Sequence, residues 1–247
     1  MGLAFILSLV SPLRADEITS VFDQANKLYE QGKYSEAVSA YEQVLNSGHS
    51  SAALHFNLGN AYLKAEQVGR AIFHYRLAAQ LSPRDPDIRA NLRFARSRVS
   101  GSAATASGWW DWTRTLSLNE LTWLALAAWW LWWSVLAAGQ IASQKSRVLR
   151  KLAQLTGALT IAFAAWLAWV WSVQIGSRPA VVIAKEAVVR LGPFEESQSA
   201  FVLHDGAELS IQDRKLDWVQ IQDGAGRRGW LRPEQLALLN PETSARR

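Results

Sequence analysis

Two uncharged runs constrain this chain more than any other feature. No Asp, Glu, Lys or Arg occurs in the 24 residues between Glu120 and Lys145, or in the 26 between Lys151 and Arg178. About 20 apolar residues suffice for a helix to cross a hydrocarbon core ~30 Å thick. A segment in lipid must pair its own N–H and C=O groups, which a helix does. Leu121 to Ile141 and Leu152 to Ile175 are therefore expected to span, as segments 117–142 and 152–175. The competing reading is a buried helix of a soluble domain, and two such runs side by side argue against it. The loop 143–151 carries Lys145, Arg147, Arg150 and Lys151, while the outer flanks hold only Arg114 beside Asp111, and Arg178. The positive-inside rule puts that loop in the cytoplasm, so both large flanking regions fall on the other face.

Eleven of the 13 Trp lie between Trp109 and Trp171. Trp109, Trp110, Trp112 and Trp171 suit the outer interface, where amphipathic rings are favoured. Trp129, Trp130, Trp132 and Trp133 lie deeper and are read as packing, within the hairpin or against a partner helix. Ala158, Ala162, Ala165 and Ala168 offer a row of small residues for close helix approach. The N-terminus, Met1 to Val10 followed by Ser11-Pro12-Leu13-Arg14-Ala15, has the apolar stretch of an export signal, with cleavage expected after Ala15 or retention as a short anchor. It lacks a basic start.

Charge excludes one function class. The net charge is +5, which by itself suggests nucleic acid. Residues 16–98 nevertheless sum to only +1, and residues 180–240 to −2. No folded region is basic enough for a nucleic-acid partner. The absence of Cys excludes disulfides, thiolate zinc sites and Cys nucleophiles.

Residues 16–99 repeat themselves. Ala37 and Ala71 are 34 residues apart, and so are Tyr41 and Tyr75. The string His55-Phe-Asn-Leu58-Gly59-Asn60-Ala-Tyr62…Ala71…Tyr75…Ala78…Pro83 resembles the tetratricopeptide repeat, two helices per 34 residues. Two repeats are expected at about 18–51 and 52–85, then a capping helix 87–99 with Arg89, Arg93, Arg96 and Arg98. Such repeats are binding scaffolds. The resemblance implies that Phe22, Asn26, Tyr29, Asn57, Asn60 and Lys64 line the groove. Asn26 and Asn57 match the Asn pair of repeats that clamp a C-terminal carboxylate, but Phe22 and Asp87 stand where Lys would be expected, so carboxylate binding does not follow. Helix packing by these Asn is an equal alternative.

From Ala180 the periodicity becomes two. Expected strands are Val181–Ala184, Ala187–Arg190, Glu208–Gln212, Leu216–Gln222 and Arg228–Leu231, with turns at Gly192-Pro193, Asp205-Gly206, Asp223-Gly224 and Gly226. Val189-Arg190-Leu-Gly192-Pro193 and Gly229-Trp230-Leu231 make residues 180–240 similar to bacterial SH3-like barrels. That likeness offers Trp218 and Trp230 as groove aromatics, one of which is as well placed in a core. Residues 100–116 read as a linker and 241–247 as a tail.

No chemistry emerges. No His-Glu-x-x-His, phosphate-cradling Gly loop or Gly-x-Ser-x-Gly motif is present. His49, His55, His74 and His204 read as surface or packing residues. No catalytic residue, metal ligand or cofactor is expected. The fold class is thus a multidomain membrane protein: all-α tetratricopeptide repeats, a two-helix transmembrane hairpin and a small all-β SH3-like barrel. This order of parts resembles the BatE-like tetratricopeptide proteins of bacterial aerotolerance (Bat) operons. The resemblance implies a non-enzymatic scaffold in the inner membrane, with both terminal domains extracytoplasmic. The implied partners are membrane proteins with von Willebrand factor A domains and a MoxR-type ATPase, besides membrane lipid. The alternative is a cell-envelope module whose SH3-like domain grips peptidoglycan. A transporter is disfavoured by spans that hold no charge.

Overall fold

The computed structural model describes residues 15–99, 118–141, 147–176 and 178–239. Most of the signal-like segment, the linker, Lys145 and the tail lie outside the described residues. The chain forms two units, one joining the regions before and after the apolar hairpin and one made of the hairpin itself.

In the first unit, α1 (Ala15–Glu30) pairs with α2 (Tyr34–Asn46), α3 (Ala52–Lys64) pairs with α4 (Val68–Leu81), and α5 (Pro86–Ser97) follows. The turn between paired helices needs a left-handed residue. Gly32 supplies it in the first repeat at φ +76°, and Glu66, 34 positions on, takes φ +62° in the second. Helix starts are capped locally: Ser51 accepts from Leu54 N–H at 3.1 Å, and Asp85 accepts from Asp87 and Ile88 N–H ahead of Pro86. Ala25, Ala37, Ala61, Ala71 and Ala95 are fully buried where helices touch. Tyr41, Tyr62 and Tyr75 fill the space those small residues leave.

The C-terminal part is a seven-stranded sheet in the order β3-β2-β6-β5-β4-β1-β7. Its strands are β1 (Arg178–Val182), β2 (Glu186–Arg190), β3 (Ser199–His204), β4 (Glu208–Lys215), β5 (Trp218–Asp223), β6 (Arg228–Leu231) and β7 (Leu236–Leu238). The pairs β1–β7, β2–β3, β2–β6, β4–β5 and β5–β6 are antiparallel. Two strands, β3 and β7, were not expected from the sequence. β5 also starts at Trp218 rather than Leu216, because Leu216 turns back at φ +50° with its side chain in solvent. Val182, Val189, Ile221 and Leu231 form the centre of the core.

The two parts of this unit meet closely. Val181 of β1 and Leu239, just after β7, belong to the helical core. Gly69 lies where any side chain would strike the Val182 carbonyl and the Asp205 carboxylate. Opposite it, Gly206 faces Val99, Ile72 and Val68. The residue before α4, Gln67, makes no side-chain cap. Asp205 does so from the β3–β4 turn, accepting from the Val68 and Gly69 N–H groups. Burial raises the Asp205 carboxyl above its ordinary value despite those bonds. Glu208 bonds Arg76 at 2.7 Å and Arg96 at 2.5 and 3.0 Å. Burial alone would raise its carboxyl, but the two guanidinium groups outweigh that and hold it below the usual carboxylate value.

In the second unit, α6 (Leu118–Ile141) packs on α7 (Arg147–Gly176). Within these, Thr122–Gln140 and Arg150–Trp169 are long and apolar enough to cross a membrane. Close approach is made at Gly157, which leaves room for the Trp132 ring, and at Thr160, whose hydroxyl donates to the Ala128 carbonyl at 3.2 Å. The expected alanine row does not do this: Ala158, Ala162, Ala165 and Ala168 are exposed. Thr160 instead satisfies its hydroxyl on both helices, since it also donates to the Thr156 carbonyl. Trp129, Trp132 and Trp133 contact one another with ring centroids 5.7–5.9 Å apart. Of the deep tryptophans only Trp132 is turned into the hairpin; Trp129, Trp130 and Trp133 face outward.

Candidate functional site

The repeat period builds a hydrogen-bonded ladder along the helices that line the groove. Tyr41 donates to Asn26 Oδ1 at 2.6 Å, and Asn57 donates to the same oxygen at 3.1 Å. One repeat on, Tyr75 donates to Asn60 Oδ1 at 2.7 Å and Asn91 donates to it at 2.9 Å. Every member is 34 positions from its counterpart, so the same three-residue unit appears twice. Partly buried side-chain hydrogen bonds like these are worth about 1 kcal/mol each. Burial, the main cause, pushes the Tyr41 hydroxyl up to about 12 and raises that of Tyr75 as well, so both remain donors at neutral pH.

Above the first unit of the ladder lies a hollow of about 310 Å³, lined by Asn26, Tyr29, Glu30, Tyr41, Asn57 and Asn60. Four of the six expected groove residues, Asn26, Tyr29, Asn57 and Asn60, come together there. Lys64 is exposed near the end of α3, and Phe22 sits against Tyr41, edge to face at 5.7 Å. Asn26 and Asn57 tie helices to one another, and both line the hollow. Sequence reasoning missed Glu30 and Tyr41, the latter because it reaches in from the second helix. It also missed the third register of the same face, where Phe94 stands 34 positions after Asn60 and Arg98 34 after Lys64. Phe94 is half exposed, and the Arg98 guanidinium lies 5.1 Å above its ring.

The SH3-like aromatics are placed differently from an open groove. Trp218 and Trp230 are 6% and 7% exposed. Arg232 lies 4.6 Å over Trp218 and Lys215 5.6 Å over Trp230. Glu195 holds Arg232 at 2.5 Å, and that bond, favouring the ionised form, pushes the Glu195 carboxyl below its usual value. A patch of exposed apolar residues lies elsewhere in this part: the cross-strand pair Val188 and Val202, with Leu191 and Phe194 in the β2–β3 loop. Alternation alone points Val188 outward, and the sequence carries no further signal for the patch.

Two histidines are buried on the other side of the repeats. His55 and His74 stack with centroids 5.3 Å apart and Nδ1 atoms 3.0 Å apart, and Tyr62 stacks on His74. Ser50 bonds His55 Nε2 at 3.0 Å. Burial lowers both imidazoles, His74 to about 3. They are neutral packing groups at pH 7. Among the described residues, no group of three or more His, Asp or Glu could hold a metal ion. Of the topology residues, Arg147, Arg150 and Lys151 fall in the first turns of α7, while Lys145 precedes the described helix.

Comparison with known families agrees with the helical repeats and with the sheet domain. Residues 22–86 match the tetratricopeptide repeat, and residues 184–237 match the bacterial SH3 domain. No curated protein matches the chain. Among solved structures, the chain is similar to the Yersinia enterocolitica type III secretion chaperone SycD, crystallised with a peptide of the translocator YopD. That similarity has 14% identity and a TM-score of 0.32, and covers 61% of this chain and 95% of the chaperone. Tetratricopeptide and bacterial SH3 domains suit a protein-binding scaffold.

Proposed function

We propose that this protein is a non-enzymatic, membrane-anchored scaffold that holds a segment of a partner protein on the concave face of its repeats. The hollow over Asn26, Tyr29, Asn57 and Asn60 carries this reading, because its size falls in the range of pockets that bind ligands and its lining offers side-chain amides that can pair with an extended backbone. The face runs from Phe22 and Glu30 through Lys64 to Phe94 and Arg98, from an acidic end to a basic one. The helices α6 and α7 serve as two spans, within segments 117–142 and 152–175. Their basic connection, Lys145 to Lys151, faces the cytoplasm, and the terminal domains lie outside it at the inner membrane. One structural fact supports an even number of crossings: the regions before and after the hairpin pack as one unit, as expected of two domains on one side of a bilayer. The order of parts, as in BatE-like proteins, supports membership of an aerotolerance complex with von Willebrand factor A membrane proteins and a MoxR-type ATPase.

The test is purification of the tagged full chain from gently solubilised membranes, beside a Glu30→Lys/Lys64→Glu variant. Both residues are exposed and outside the hydrogen-bonded ladder, so the variant should fold. Loss of the co-purifying proteins in the variant supports the groove. Identical recovery from both refutes it. The second reading, peptidoglycan binding by the SH3-like part, draws on the exposed patch of Val188, Val202, Leu191 and Phe194. Sedimentation of the full chain with purified sacculi, unchanged by Phe194→Ala, would dismiss it.

A further inference from the structure

The 34-residue period allows each contact to be followed into the next repeat. Tyr62 of α3 donates to Glu42 of α2, and Arg70 of α4 donates to the Tyr62 hydroxyl at 3.3 Å. Besides the Asn57–Asn26 bond, this polar contact joins the first repeat to the second. Adding 34 to Glu42 and Tyr62 gives Arg76 and Arg96. The next junction therefore has two cations where the first has a carboxylate and a phenol. Adding 34 to Arg70 gives residue 104, beyond α5. Among the described residues, α5 is the first helix of a third repeat that has no second helix.

Another element stands at that junction. The β3–β4 turn brings Glu208 between Arg76 and Arg96, bonded to both. The same turn brings Asp205 onto the first N–H groups of α4, and Gly206 against Val68, Ile72 and Val99. Solenoids need a closing element at each end, and two repeats are fewer than usually suffice. We infer that the SH3-like domain is that closing element. It occupies the stacking face that a third repeat's second helix would cover, and Glu208 bonds both cations of the Arg76–Arg96 junction. The domain thus acts on its own chain, through a face formed by its β3–β4 turn, β1 and Leu239. This role is independent of whether the concave groove holds a partner.

The experiment is hydrogen exchange of the full chain in lipid nanodiscs, read separately in α4, α5 and β1 to β4. Glu208→Arg places three cations together. It should reduce protection at least tenfold in α4 and α5 as well as in β3 and β4, and should cause self-association through the uncovered stacking face. Glu208→Arg could instead simply disrupt its own strand. The triple variant Arg76→Glu/Arg96→Glu/Glu208→Arg separates these cases, since it restores opposite charges with the pairing reversed. Recovery of protection in α4 and α5 in the triple variant supports the inference. Unchanged protection of α4 and α5 in Glu208→Arg overturns it, and so does a loss that the triple variant fails to restore.

Discussion

Acidification from pH 7 to pH 5 tests the ring stack between α3 and α4. His74 is 6% exposed, its Nδ1 meets that of His55, and Arg70 adds a positive charge nearby. A proton on either ring would have to be buried among apolar rings and beside a cation. An unfolded His titrates near 6.5, whereas burial holds His74 at about 3 in the fold. A base depressed in this way stabilises the fold fully above the unfolded value, and that contribution is lost as pH falls below it. Between pH 7 and 5 the unfolded chain takes up the proton and the folded chain does not. The loss for His74 alone is about 2 kcal/mol, or roughly 25-fold in the opening equilibrium. His55 is depressed in the same direction and adds to it. Asp205, raised by burial, acts in the opposite sense, and does so equally in wild type and in a His74 variant. Hydrogen exchange of residues 52–81 in the full chain, corrected for the intrinsic pH dependence of exchange, reads the effect directly. His74→Phe keeps a ring on Tyr62 but cannot titrate, so its opening equilibrium should vary much less over the same range. Equal protection at pH 7 and 5 in the wild type, or an undiminished slope in His74→Phe, would refute the reasoning.

Other perturbations probe separate parts of the fold. Glu66→Gly should stabilise the second repeat by about 1 kcal/mol, because a left-handed φ costs a residue with a Cβ roughly that much and glycine nothing; a lower denaturation midpoint would contradict the turn geometry. Trp218→Ala should cost about 3–5 kcal/mol in the SH3-like part, as a buried large-to-small change does, and free Arg232 from its ring. Exchange in β4 and β5 would report it. Tyr75→Phe should cost about 1 kcal/mol by removing one donor from Asn60, while Tyr34→Phe, outside the ladder, should cost little. The Cys-free chain also permits clean labelling: Ser39→Cys should react with an impermeant maleimide on intact spheroplasts, and Ser146→Cys, in the basic loop, only after lysis. Reaction of Ser146→Cys from outside would invert the topology.

Much of the helical part was legible because its contacts recur. The 34-residue spacing of Ala37/Ala71 and Tyr41/Tyr75 marks positions where helices touch, and the uncharged runs mark α6 and α7 by length alone. The residues that the tetratricopeptide resemblance offered for the groove include Asn26, Tyr29, Asn57 and Asn60, which line the hollow. What escaped depends on partners distant in sequence. β3 and β7 are held by pairing with β2 and β1 rather than by alternation of their own. The alanine row on α7 was misleading because small size permits close approach but does not choose the face; Gly157 and Thr160 do, by admitting Trp132 and bonding Ala128. Asp205 and Glu208 read as ordinary turn and strand residues, since nothing local reveals that their partners are Val68, Gly69, Arg76 and Arg96.

The insertion of the hairpin inside a folded unit has a consequence for how the chain is made. When α5 leaves the ribosome, the groups that cover its end, Val181 to Leu239, have not been synthesised. At about 5–20 residues per second, roughly 10 to 30 seconds pass before they arrive. During that interval the Arg76–Arg96 junction and the start of α4 are without Glu208 and Asp205. On the proposed topology, with α6 and α7 as two spans, they are covered only once the second span has returned the chain to the side of the repeats. A nascent chain inserted with one crossing instead of two would strand the closing strands across the bilayer and leave the repeats incomplete. On that topology, completion of the fold and correct insertion of the hairpin depend on each other.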